Sequence, residues 1–204
     1  EGVILEELFN GSNIDSSYLV KSNNRITTNK TRIISRNQQM MRLDAEVIYD
    51  LDKNEETDLL KKIKDYISSE DPDVIIFEDY NKGVLTEKII QETIALCKEA
   101  GVITAVDPKR KNFFSFKQAD IFKPNLKEVK ESLNLLIDGI NPAQLQKIHA
   151  ELHNLLNHQI SFITLSEKGV FYQHGADAKL IPSHIRNVAD VSGAGDTVIA
   201  VASL

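Results

Sequence analysis

From Asp73 onward the chain alternates short apolar runs with longer stretches whose apolar residues recur at helical spacing. Val74-Ile-Ile-Phe77 is an unbroken apolar run, the pattern of a buried strand. Thr86 can cap a helix in which Ile89, Ile90, Ile94, Cys97 and Ala100 fall on one stripe, and Gly101 ends it. Val102 to Val106 is the next strand, closing on Asp107-Pro108, and Ile121-Phe122 is a short one. Asn125 opens a helix toward Leu136, and Asn141-Pro142 starts another with Leu145, Ile148, Leu152 and Leu156 on its apolar stripe. Ile160 to Leu165 is a strand, Val170 to Pro182 a hairpin, and Asn187-Val188 an extended lead into a glycine turn. Thr197 to Leu204 then opens a mainly apolar helix. Helices alternating with buried strands predict an α/β fold with a mainly parallel sheet covered on both faces, a three-layer α-β-α arrangement. In such sheets ligands bind beyond the carboxyl ends of the strands.

The first part of the chain has another period. Residues 25–35 and 38–48 alternate side chains two by two, with Ile26, Thr28, Lys30, Arg32 and Ile34 in the first run and Met41, Leu43, Ala45 and Val47 in the second. This predicts two strands with one face exposed or covered by a partner. We read residues 25–48 as a small β lid over the main α/β domain, which takes residues 1–24 and 49–204; the alternative is a pair of further edge strands. A helix from about Glu55 to Ser69 returns the chain to the sheet. Glu1-Gly-Val-Ile-Leu reads as a helix already under way, and Leu204 stops after about two turns of helix. More sheet before residue 1 and more packing after residue 204 are therefore expected.

Composition narrows the classes. A chain of 204 residues can bury one sizeable core. Its net charge of −6 argues against nucleic acid as a partner, since such binders present a basic patch. No apolar run approaches the roughly 20 residues that span a bilayer, and no signal-peptide pattern opens the chain, so a cytoplasmic location without membrane contact is expected. The single cysteine, Cys97, falls on a helix's apolar stripe and reads as a core thiol. His149 and His153 are four apart, but Ala150 breaks the zinc-protease pattern, and a solvated helix face is expected there.

The chemistry gathers in the loops. In Asp190-Val-Ser-Gly-Ala-Gly-Asp196 the small side chains of Gly193, Ala194 and Gly195 let an anion approach the backbone amides at a helix N-terminus. Asp196 would repel that anion unless its task is to take a proton from an attacking hydroxyl; an ordinary first-turn aspartate is the plainer alternative. In Asp79-Tyr-Asn-Lys-Gly83, Asp79 and Lys82 could position substrate hydroxyls or neutralise phosphate, and Lys109 of Asp107-Pro-Lys could reach a phosphate. A plain turn is the alternative for either loop. In Lys123-Pro-Asn-x-x-Glu128, Asn125 and Glu128 suit either a capping pair or a rim that holds hydrated Mg²⁺ beside polyphosphate. Thr164-Leu-Ser-Glu-Lys-Gly169 is a further strand end fit for nucleotide contact. Four polar strand ends and the glycine turn converge on one cleft.

In this order the motifs resemble the ribokinase-like (PfkB) carbohydrate kinases. Lys30-Thr-Arg32, Ser35-Arg-Asn-Gln-Gln39 and Arg42-Leu-Asp44, with Asp-Tyr-Asn-Lys-Gly, look like the kinase module of D-glycero-β-D-manno-heptose-7-phosphate kinases, the enzymes of ADP-heptose synthesis. The resemblance implies a ribokinase-like fold and ATP-dependent transfer to a sugar or sugar-phosphate hydroxyl, with the anomeric hydroxyl of heptose 7-phosphate preferred. Fructose, ribose or a keto-deoxy sugar acid are other acceptors, and a non-catalytic binding module is the alternative of another class. It further implies Asp196 as the base and Gly193, Ala194 and Gly195 as the anion hole. Asn125 and Glu128 would organise Mg²⁺ through water, and Asn125, Thr164, Ser166, Glu167 and Gly169 would border the nucleotide. Asp190 and the Val191 carbonyl would lie near a monovalent-cation (K⁺) site. Lys30, Arg32 and Arg36 are charge candidates for the acceptor phosphate, and the lid would pair with a second subunit to make a homodimer. The early Gly-Asp and Gly-Gly segments that grip the sugar in the family have no counterpart here, and Ser166 stands where glycine is common.

Overall fold

Ile75 and Phe77 point to one side of their strand, Val74 and Ile76 to the other, and two separate apolar clusters form on them. The structure is a computed structural model that describes residues 1–36, 38–136, 141–184 and 193–204. Its elements run α1 (Gly2–Gly11), β1 (Asn29–Ser35), β2 (Gln38–Ala45), α2 (Lys53–Glu70), β3 (Val74–Glu78), α3 (Glu87–Ala100), β4 (Ile103–Asp107), β5 (Ile121–Phe122), α4 (Leu126–Ser132), α5 (Pro142–Leu156), β6 (Ile160–Thr164), β7 (Val170–His174), β8 (Asp177–Ile181) and α6 (Ala194–Ala202). Strands β3 to β8 form a six-stranded sheet in sequence order. The steps from β3 to β6 are parallel and the last two antiparallel, because the long βα connections give way to a hairpin.

One face carries the larger core. Ile90 and Ile94 of α3, Val129 of α4 and the Leu145, Ile148, Leu152 and Leu156 stripe of α5 close on Phe77, Val106, Phe122, Ile163 and Phe171. Each such side chain, fully withdrawn from water, contributes about 1.5–3 kcal/mol. On the opposite face Ile199 of α6 seats on Ala105 and Ile121. The sheet is thus flanked by helices on both faces, the expected layering. β3 is less buried than its apolar run implies, because it is the edge strand of the sheet.

Caps fix the helix starts. Thr86 Oγ1 accepts from Ile89 N at 3.3 Å, and Gly101 ends α3 at φ +74°. Asp52 with Glu55, Asn125 with Glu128 and Asn141 with Gln144 each form a reciprocal capping box. α4 stops at Ser132, short of the expected Leu136, and α6 begins at Ala194 instead of Thr197.

β1 and β2 form their own two-stranded sheet, separate from the main one and shorter than the alternation predicts. Register places Thr31 and Ile33 opposite Leu43 and Met41, and Lys30 and Arg32 opposite Asp44 and Arg42. One face of this ribbon is therefore apolar and the other charged.

The histidine reading needs correction. His149 is buried, its Nδ1 2.8 Å from Ser161 Oγ, and His158 Nε2 meets the same oxygen at 2.6 Å. A polar partner on β6 makes burial tolerable there, and only His153 keeps the expected exposure. Cys97 is a core thiol as expected, and burial pushes it up to about 11. Among the described residues no helix is long and apolar enough to cross a membrane.

Candidate active site

Parallel pairing in register brings the last residues of neighbouring strands side by side, and here Glu78 of β3 lies opposite Asp107 of β4. Next along the same edge come Lys123 after β5, and Asn125, bridged to Thr164 at the end of β6. α6 enters from the other face with its N-terminus at this edge. Gly193 caps it at φ +75°, and Asp196 falls in the first turn. The earlier helix start therefore leaves the first-turn amides, those of Ala194 and Gly195 among them, without intrahelical partners near this edge. A cavity of about 280 Å³ results, lined by Glu78, Tyr80, Asp107, Lys123, Thr164 and Asp196 among others.

Charge in the cavity is densely coupled. Asp107 accepts from Lys123 Nζ at 2.8 Å through Oδ2 and from Lys109 Nζ at 3.2 Å through Oδ1. Lys109 also reaches Glu128 Oε1 at 2.9 Å. Burial works against the Lys109 ammonium, but the bond to Glu128 and the charges of Asp107 and Glu128 hold its pKa above the usual lysine value. A carboxylate oxygen from each of Glu78, Asp107 and Asp196 lies within 4.8 Å of the other two. Burial first, then the charges of Asp107 and Asp196, push Glu78 up to about 7 against the opposing pull of Lys123 and Lys109. Tyr80 donates to Asp196 Oδ2 at 2.9 Å. Burial, this bond and the neighbouring carboxylates push the phenol up to about 12.

Gly195 lies close to the buried ion pair, at ordinary contact distance. A Cβ there would stand 3.4 Å from Asp107 Oδ2 and 3.7 Å from Lys123 Nζ, so the backbone passes directly over the ion pair.

The cavity brings together Asp196, Gly195, Asn125, Thr164 and Asp79 from the residues singled out in the sequence. Asn125 and Glu128 are in use as caps: Asn125 Oδ1 accepts from Glu128 N at 2.9 Å, and Glu128 Oε2 from Asn125 N at 2.8 Å. Asp79 is buried and structural in its bonding, accepting from Asn81 N at 2.8 Å and Asn112 Nδ2 at 3.3 Å. Lys82 bonds Glu46, just past the end of β2, at 2.5 Å and lines a neighbouring cavity instead. Lys30 Nζ lies 5.9 Å from the Tyr80 ring centroid, whereas Arg32 faces Arg42 across the ribbon and Arg36 takes φ +48° at its turn. Ser166, Glu167 and Gly169 form the turn after β6, outside the cavity lining; Ser166 adopts φ +57°, the conformation for which glycine is the easier residue. Asp190 and Val191 lie outside the described residues.

Glu78, Tyr80, Asp107 and Lys123 went unassigned in the sequence. Glu78 carried one signal, an acidic residue closing an apolar strand at its carboxyl end. Tyr80 and Asp107 stood inside quoted motifs beside the residues that drew attention.

Comparison with known proteins identifies the family and the fold. A sequence model of the family described as pfkB family carbohydrate kinase matches residues 1–203. The curated bifunctional protein HldE of Helicobacter pylori (strain Shi470) is 36% identical over 194 residues, 94% of this chain and 41% of its own length. The protein of that name from Aliarcobacter butzleri (strain RM4018) is 38% identical over 203 residues, 96% of this chain and 40% of its own. The chain thus spans about two fifths of the curated relatives it matches. Among solved structures, phosphofructokinase-2 from Escherichia coli in complex with potassium superposes with a TM-score of 0.80 at 15% identity, over 99% of this chain and 64% of that one. Ribokinase from Giardia lamblia gives 0.71 at 16% identity, over 97% and 60%. At such identities the likeness is one of fold.

Proposed function

The chain belongs to the pfkB family of carbohydrate kinases, and on that premise we propose that it transfers the γ-phosphoryl group of ATP to the anomeric hydroxyl of D-glycero-D-manno-heptose 7-phosphate. The observation that carries the reading is the placement of Asp196 in the first turn of α6, beside the amides of Gly193 to Gly195 and at the carboxyl edge of the sheet. Its carboxylate takes the acceptor proton while the amides and the helix N-terminus stabilise charge on the transferred group. Lys123, fixed on Asp107, adds a buried positive charge behind Gly195. Thr164 and the turn to Gly169 border the nucleotide.

The residues present fit a divalent cation. Glu78, Asp107 and Asp196 offer hard oxygen ligands, and a bound cation would favour the charged form of Glu78 against the burial, and then the charges of Asp107 and Asp196, that raise its pKa. Asn125 and Glu128, anchored by their capping box, could hold its waters. When bound, Mg²⁺ supplies charge neutralisation on the phosphates. Asp190 and the Val191 carbonyl remain our assignment for a K⁺ site; the solved potassium complex of a fold relative supports it.

A larger cavity of about 750 Å³ under the lid shares Glu78, Asp79 and Tyr80 with the charged one and includes Lys30, and we place the sugar there. Lys30 and Arg32, on the charged face of the ribbon, and Arg36 at its turn are the acceptor-phosphate candidates, and of these Lys30 lines the cavity. The other face, with Ile33, Met41 and Leu43 each about half exposed, suits pairing with a second lid in a homodimer. The acceptor is tested by ADP release from the full-length protein over a panel of sugars and sugar phosphates. Heptose 7-phosphate should give the highest kcat/KM, and strict preference for an unphosphorylated hexose would overturn the assignment.

A further inference from the structure

We infer that Tyr80 is a positioning residue that occupies the base of the proposed transfer until an acceptor hydroxyl replaces it, an inference that rests on Asp196 being that base. The phenol donates to Asp196 Oδ2 at 2.9 Å. That is the bond an acceptor hydroxyl must make to give up its proton to this oxygen. The phenol is the donor in this bond, so it occupies the carboxylate without bringing a charge of its own.

Tyr80 is also the point where the lid meets the base. Lys30 of β1 lies over its ring. Two residues on, Lys82 Nζ bonds Glu46 at 2.5 Å beyond the end of β2. Arg25, before β1, holds both the Lys82 carbonyl and, at 2.8 Å, the Tyr49 carbonyl. Both ends of the lid segment are therefore strapped to the loop that carries Tyr80. A shift of the ribbon is transmitted to the phenol, and through it to Asp196.

The consequence concerns water. If water took the phenol's place on Asp196, its oxygen would bond to the γ-phosphorus as the bridging P–O bond to ADP broke. The electron pair would leave with ADP and the proton would pass to Asp196, giving ADP and inorganic phosphate. Tyr80 competes for that position, and only a ligand that both displaces the phenol and fills the lid cavity gains the base. A hydrogen bond to a charged group is worth a factor of about ten or more in such a competition.

The test is ATP hydrolysis by the full-length protein without acceptor, comparing wild type with Tyr80→Phe, together with the acceptor KM. Hydrolysis is expected to rise about tenfold and the acceptor KM to fall. A merely structural tyrosine would lower hydrolysis and raise KM instead. Unchanged or lower hydrolysis in a folded Tyr80→Phe protein would overturn the inference while leaving the base assignment intact. Should that variant fail to fold, Lys30→Met carries the test from the lid side, where a rise supports the coupling and no rise contradicts it. Excess hydrolysis that survives a second change, Asp196→Asn, would overturn the base assignment itself.

Discussion

Asp107 and Lys123 are joined at 2.8 Å, Oδ2 to Nζ, with both side chains nearly withdrawn from solvent and the backbone of Gly195 lying over them. Removing one member of a buried pair strands the other charge. Lys123→Met should therefore destabilise the protein by about 3 kcal/mol, read as a lower urea midpoint, even though Lys109 still contacts Asp107. Adding Asp107→Leu should recover most of that stability, because the stranded carboxylate goes with it. Phosphoryl transfer should stay lost in both.

Gly83 and Gly101 share a left-handed backbone but not their surroundings. A Cβ on Gly83 would meet the Tyr49 carbonyl oxygen at 1.9 Å, whereas one on Gly101 meets nothing within 4 Å. Gly101→Ala should cost about 1 kcal/mol from backbone preference alone. Gly83→Ala should cost about 2 kcal/mol or more and push the Asp79 to Gly83 loop away from the Tyr49 backbone. Thermal unfolding of the two variants checks the order.

His158 is fully buried, and burial, then the charges of His149 and His153, hold its pKa down at about 3. In the unfolded chain it titrates near 6.5, so between these values the unfolded state binds the extra proton. Stability from this group is complete above about pH 6.5 and drains away as pH falls toward 3, a loss on the order of 3 kcal/mol. His158→Asn, which keeps a partner for Ser161, should show a flatter dependence of Tm on pH from 7 to 4. An unchanged slope would contradict the assignment.

Glu78 works in the opposite direction. Its folded pKa of about 7 exceeds the ordinary 4.5, so the folded state binds more protons across that window and stability falls as pH rises through it. Glu78→Gln should match wild type near pH 4 and become the more stable protein near pH 8. Added Mg²⁺ should narrow the difference at pH 8 by neutralising the wild-type carboxylates, which calorimetry with and without the ion will show.

The sheet and its helices were legible because their periods are local. Ile89, Ile90, Ile94 and Cys97 recur at helical spacing, Thr86 and Gly101 punctuate them, and the fold follows. The start of α6 was misread by three residues because Gly193, Ala194 and Gly195 carry no apolar period from which to read a helix. His149 was misread because its partner, Ser161, sits on a strand twelve residues away. The site suffered most from the same cause. Asp196 announced itself by its oddity among glycines, but its contact with Tyr80 spans 116 residues and exists only once β3 and α6 share an edge. Asn125 and Glu128 show the converse: a capping pattern read locally turned out to be a cap, with its suitability for Mg²⁺ resting on what lies across the cavity.

The most direct test of the account is the rate of ADP release by Asp196→Asn in the full-length protein, with saturating ATP, Mg²⁺ and heptose 7-phosphate. A positioned general base contributes about 10²–10⁴-fold, so turnover should fall by that factor while ATP binding persists. Turnover within a few-fold of wild type would show that Asp196 is not the base and would remove the centre of the mechanism.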